Sequence, residues 1–164
     1  MVVTVKTFAH NPSGLEKSLW TDRDEEVLGW HDARIVAVAL TEGSGPGRSR
    51  FLLDIDYLVR WVAPVAPALA FSFWITPATL VFEEVWALSG SLAHADLSID
   101  QISRRTADPG QGWHIDGHAF DLHLVTSAGF TLFMRRPPIL VGHQSLSLAQ
   151  RGGISFEEVA FDSA

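Results

Sequence analysis

From Ala33 to Arg136 the chain is a succession of apolar, β-branched segments of strand length, cut at short intervals by glycine, proline or an Asp-Gly pair. The segments read ARIVAVALTE, RFLLDIDYL, AFSFWI, TLVFEEVWAL, ADLSIDQISRR, WHIDGHAFDLHLV and FTLFMRR. No long helical segment separates them, so a parallel sheet built from strand–helix–strand units is excluded. The pattern predicts an all-β fold: a single antiparallel β-sandwich or barrel of about eight or nine strands over residues 1–164, with short peripheral helical turns. With 47% hydrophobic residues, 6 Trp and 10 Phe, the chain can bury one sizeable core.

The punctuation refines this picture. Val2 to Phe8 is β-branched and suits a first strand. Ser13 with Glu16, and Thr21 with Asp24, have capping-box spacing and predict short helical turns. GSGPGRS reads as a long hairpin loop between two antiparallel strands. Pro77-Ala78 is expected to separate two strands, and Pro137-Pro138 to end another. Asp116-Gly117 predicts a two-residue type I′ hairpin turn with positive φ at both positions. In the tail, Ser147 caps a candidate helical turn that Gly152-Gly153 stops, and Ile154–Phe156 is a candidate last strand.

Within FLLDIDYLVRW, alternation places Phe51, Leu53, Ile55 and Tyr57 on the core face. Leu52, Asp54, Asp56 and Leu58 share the other face, so the two carboxylates project together. They suit a solvated face, a cross-strand partner such as Arg34, a protein-binding face, or a polar site. A carboxylate pair can hold a hard cation or divide acid and base roles. Hairpin pairing brings the start of the preceding strand, near His31 and Asp32, toward Asp56. The candidate polar site is therefore His31, Asp54 and Asp56.

Seven histidines are present: His10, His31, His94, His114, His118, His123 and His143. A turn at Asp116-Gly117 would set Ile115 opposite His118 and Trp113 opposite Phe120. One face then carries Trp113, Ile115, His118, Phe120, Leu122 and Leu124, and the other His114, Asp121 and His123. In that register His114 and His123 share a face without being cross-strand neighbours. Two histidines and a carboxylate form a ligand set for divalent metals, so His114, Asp121 and His123 are secondary metal candidates beside the plainer alternative of a solvated polar face. No phosphate loop, dinucleotide-binding fingerprint, nucleophile elbow or H-E-x-x-H is present, and no cofactor is expected. The paired basics SRR and RRPP suit either neutralisation of acidic neighbours or anion binding.

Net charge is −7, which disfavours nucleic acid and anionic membranes as partners. Cysteine is absent, so disulfides and thiolate metal sites are excluded. The N-terminus lacks a basic segment followed by an apolar run, and the longest apolar stretch, Trp61 to Ile75, contains Pro64 and Pro67 and is too short to span a bilayer. A soluble, cytoplasmic protein is expected.

WHDARI, LLDIDYLVRW, FWITPATLVF and LSIDQI, between Trp30 and Ile102, together resemble a family of uncharacterised small bacterial β-rich proteins. WHDARI is also similar to the opening strand of some bacterial toxin-immunity proteins. The resemblance implies a compact bacterial β domain with no assigned activity. Two functional expectations follow. The leading one is a non-enzymatic binding or interaction protein, immunity-like or homo-oligomeric, whose partner is a protein or its own copy. The alternative is a small-molecule or metal-binding β-barrel, with a hydrolase as one form of it.

Overall fold

The computed structural model describes residues 11–93, 96–106 and 111–163 of the 164. The strand expected at Val2–Phe8, with His10 and His94, lies outside the described residues. Ten strands run through the rest: β1 (Leu19–Thr21), β2 (Arg34–Glu42), β3 (Ser49–Val62), β4 (Ser72–Val85), β5 (Ala87–Leu92), β6 (Ile99–Arg105), β7 (Gly112–Gly117), β8 (Phe120–Val125), β9 (Phe130–Met134) and β10 (Ile139–Val141). One helical turn, α1 (Leu148–Arg151), follows them.

The strands form two antiparallel sheets. The larger has the order β1-β9-β4-β3-β2, with β10 also paired to β4; the smaller has the order β5-β8-β7-β6. This is an all-β sandwich, and among the described residues neither sheet closes into a barrel. The sheets meet at two corners. At one, Glu84 takes a φ of 52° and the chain passes from β4 directly into β5 of the other sheet. There Trp86 N–H donates to Val125 O at 2.9 Å. Strands that switch sheets commonly do so at such bends. At the other corner the start of β6 bonds to the approach of β2: Ile35 N–H reaches Leu97 O at 2.9 Å and Ile99 N–H reaches Ala33 O at 2.7 Å.

Between the sheets lies one continuous apolar core. The inner residues of β3 and β4, Phe51, Leu53, Ile55, Leu80 and Phe82, pack with Trp113, Ile115, Leu122 and Leu124 of the smaller sheet. Phe130 of β9 joins the aromatic set, 5.0 Å from Trp113 and 5.9 Å from Phe82 between ring centroids. The alternation read in β3 is therefore the alternation that builds the core.

Two sequence expectations about strand boundaries change. AFSFWI and TLVFEEVWAL form no pair of strands parted at Pro77-Ala78; Ser72 to Val85 is one strand through Pro77. Proline is tolerated because its side of β4 falls between two partners. β9 pairs only up to Ala78, and β10 begins opposite Ile75. Pro77 O accepts the Arg135 N–H at 2.9 Å, so the ring nitrogen on that same side faces a gap where no donor is needed. Ile154–Phe156 is loop rather than strand. In the N-terminal segment Thr21 and Asp24 form a capping box on a 3₁₀ turn, Asp22–Asp24. Ser13 instead takes the Leu15 N–H at 3.2 Å within a loop.

The β7–β8 hairpin turns two residues later than predicted. Gly117 pairs with Phe120, Ile115 with Leu122 and His114 with His123, leaving His118-Ala119 at the tip. Neither Asp116 nor Gly117 has positive φ, so the type I′ turn is absent. Burial overrides the local signal here. The predicted register would have put His118 on the core face, whereas the observed one confines that face to apolar side chains and Gly117. Gly117 matters for another reason: a Cβ there would run into the Phe120 ring and approach Ser98 O to 2.6 Å. Gly117→Val is therefore expected to cost about 1–3 kcal/mol by overpacking. A thermal unfolding midpoint equal to the parent's would refute this close-packing role.

Candidate functional site

Asp54 and Asp56 project from β3 on the outer face of the larger sheet, yet they are 0% and 1% exposed. The C-terminal segment from Leu146 to Glu157 covers that face. A small apolar contact of Leu146 with Leu58, Phe73 and Ile75 seats it. Ser147 then caps α1, its Oγ accepting from Gln150 N–H at 3.2 Å, and Gly152 ends the turn at a φ of 79°. Both features agree with the sequence. The short helix delivers Arg151, with a side chain 1% exposed, between the two carboxylates.

Arg151 Nη1 and Nη2 donate to Asp54 at 2.7 and 2.6 Å, and Nε donates to Asp56 at 3.0 Å. Arg135 Nη2 adds a bond to Asp54 at 2.7 Å, while its Nη1 donates to Thr79 Oγ1 at 2.7 Å. Backbone amides complete the shell: Ser155 N–H to Asp54 at 2.9 Å and Leu146 N–H to Asp56 at 3.0 Å. Two carboxylates thus meet two guanidinium groups in a balanced, hydrogen-bonded network. Burial by itself pushes the Asp54 carboxyl up, but Arg151, the Ser155 amide and Arg135 outweigh it and hold the group below the usual aspartate range. The carboxylate oxygens are taken by donors of this chain, so the pair fastens the tail to the sheet. Arg34, the partner suggested by the sequence, stands opposite Asp56 in the ladder, but the described ion pairs of Asp56 run to Arg151 alone.

His31 does not join them. Asp32, at a φ of 68°, turns the chain toward the smaller sheet and donates its N–H to Ile99 O at 3.0 Å. The His31 imidazole is largely exposed, 3.7 Å from Asp32 and 3.8 Å from Asp100. It lies in an open cleft with Glu25, Trp30, Asp100, Ile102 and Arg104. Among the described residues, the buried indole Nε1 of Trp30 has no hydrogen-bond partner.

The register of β7 and β8 gathers a different group on the outer face of the smaller sheet. Opposed residues form two polar rows across its four strands: Ser103, His114, His123 and Ser89, then Gln101, Asp116, Asp121 and Ser91. His114 and His123 are direct cross-strand neighbours, a correction to the register predicted from Asp116-Gly117. Their rings stack at 4.4 Å with 7° between planes. Nε2 of His114 lies 2.5 Å from Asp121 Oδ1, and Nε2 of His123 lies 3.2 Å from the same oxygen. The His114 hydrogen bond, supported by His123, holds the Asp121 carboxyl below its usual range. Among the described residues, His123 Nδ1 is buried without a partner.

No motif in the sequence singles out Arg151 or the serines of these rows. Arg135 stands out in the sequence only as part of a basic pair. The one local signal for Arg151 is the cap at Ser147 and the glycine stop, which say where a turn forms but not what its last side chain meets. Among the described residues no helix is long and apolar enough to cross a membrane. The chain matches no protein-family model, no curated protein and no solved structure.

Proposed function

We propose that this chain is a non-enzymatic, cytoplasmic interaction protein whose partner is a second copy of itself, docked edge to edge through β5. One observation carries the proposal: β5 is an uncharged edge strand whose sequence, Leu88-Ser89-Gly90-Ser91-Leu92, is a palindrome about Gly90. Among the described residues its far side has no strand partner. Edge strands that stay unpaired are usually blunted by charge, proline or a bulge. β5 has none of these, whereas β2, at the edge of the larger sheet, carries a bulge between Ile35 and Ala37.

Antiparallel pairing about a two-fold axis at Gly90 sets Leu88 opposite the partner's Leu92, and each serine opposite a serine. Such self-complementarity is what an isologous interface requires. Leu88 and Leu92 stand opposite Leu124 and Phe120, on the core side of the sheet, but overhang its edge and remain 38% and 54% exposed. Pairing would cover both and extend the four-stranded sheet across the axis.

Sedimentation equilibrium at high micromolar concentration tests this. The parent should weigh twice one chain, and Leu88→Lys/Leu92→Lys should weigh one chain without losing its β circular dichroism. A monomeric parent overturns the proposal. So does a chain that dimerises only after residues 1–10 are deleted, because that segment would then be the occupant of the β5 edge.

A further inference from the structure

We infer that His114, Asp121 and His123 bind one divalent transition-metal ion on the outer face of the smaller sheet. The inference is independent of the β5 pairing. Three ligand atoms converge there: one ring nitrogen from each histidine and a carboxylate oxygen of Asp121 lie within 4.8 Å of one another, and both Nε2 atoms face that carboxylate, at 2.5 and 3.2 Å. The convergence comes from the backbone. β7 and β8 set the two imidazoles directly opposite, and Asp121 lies two residues from His123 on the same side of the same strand. The residues are half-buried, so the ligands are held by the sheet while one side of the site stays open to solvent.

The spacing fits an ion after a small movement. Ligands at about 2.0–2.1 Å from a tetrahedral zinc stand roughly 3.3 Å apart. His123 is already 3.2 Å from Asp121, and the 2.5 Å hydrogen bond from His114 opens by less than an ångström once a metal replaces the shared proton. Stacked rings aim their lone pairs in parallel, so coordination must also splay them. In the stacked orientation His123 Nδ1 is buried and, among the described residues, unpaired, so a turn of the ring breaks no hydrogen bond at that nitrogen.

The surroundings favour a cation. Asp116 stands directly opposite Asp121, and among the described residues neither has a lysine or arginine partner. Like charges placed opposite each other on a sheet are destabilising, and a divalent ion at Asp121 offsets that repulsion. Across the ladder, Ser103 flanks His114 and Ser89 flanks His123. Both are small and neutral, so they leave a further coordination position open to water. Two imidazoles with one carboxylate suit zinc, copper, nickel, cobalt or ferrous iron; magnesium and calcium prefer oxygen alone.

Titration calorimetry of the full chain with zinc chloride, and separately with magnesium chloride, reads the site. One zinc per chain and no heat from magnesium are expected. His114→Gln/His123→Gln should lose the zinc signal, and His143→Gln should keep it. In the parent, imidazole nitrogen NMR follows the site without any substitution. The Nε2 resonances of His114 and His123 should move on adding zinc, while those of His31, His118 and His143 stay. Zinc heat that persists in a folded double variant, or shifts confined to other histidines, overturns the inference. Equal binding of magnesium would assign the ion to Asp116 and Asp121 alone and overturn it as well.

Discussion

Arg151→Met lowers the stability of this protein by about 3–5 kcal/mol, the usual cost of leaving buried charges without their partner. The substitution keeps much of the side-chain volume but removes the donors that reach Asp54 at 2.6 and 2.7 Å and Asp56 at 3.0 Å. Arg135 still holds Asp54, yet Asp56 keeps only the Leu146 amide among its described partners. Urea denaturation measures the loss, and a change below about 1 kcal/mol, the range of exposed pairs, would refute the buried latch. The amides of Leu146 and Ser155 report the same event locally. Both donate to these carboxylates, so both should exchange faster in the variant, while core amides of β3 keep their protection.

The network also sets a direction for pH. The Asp54 carboxyl titrates lower in the folded chain than in the unfolded one. Its contribution is therefore complete above the ordinary aspartate value of about 3.9 and is lost as pH falls through the lower folded value. Parent stability should decline in that acid window. Asp54→Asn should start less stable at neutral pH and show a shallower acid decline. A parallel pair of pH curves would remove Asp54 from the network.

Trp113→Ala is the other large effect, expected at about 3–5 kcal/mol for deleting a buried indole. Trp113 is 1% exposed and belongs to the smaller sheet, but its aromatic neighbours, Phe82 at 6.2 Å and Phe130 at 5.0 Å, belong to the larger. Arg104 stacks over the indole at 4.5 Å and holds Asp22 at 3.0 Å, so the same ring links β6 to the 3₁₀ turn. Loss of the indole opens a cavity between the two layers. Calorimetric melting should shift far more for Trp113→Ala than for Trp61→Ala, whose ring is 44% exposed near the β3–β4 turn. Comparable shifts would mean that the core does not depend on this contact between sheets.

Most of the strand segments and the inward and outward faces of β3 could be read from local sequence, although Ser72–Val85 is one strand and Ile154–Phe156 is loop. Alternation is local: successive side chains on an extended backbone point to opposite sides, so Phe51, Leu53 and Ile55 are core residues wherever β3 sits, and Asp54 with Asp56 share the opposite face. The cap at Ser147 and the stop at Gly152 are equally local, because each depends on hydrogen bonds within one turn. Tertiary structure decided register and partners. The turn between β7 and β8 moved two residues past Asp116-Gly117, because the rest of the sheet offered an all-apolar face in that register, and His114 and His123 became neighbours as a result. The partner of the buried aspartates lies 95 residues or more along the chain. No periodicity spans that separation. Only the docking of the tail across the outer face of the larger sheet excludes water from Asp54 and Asp56, and that exclusion turns two strand carboxylates from a candidate cation site into a bond between β3 and the C-terminus.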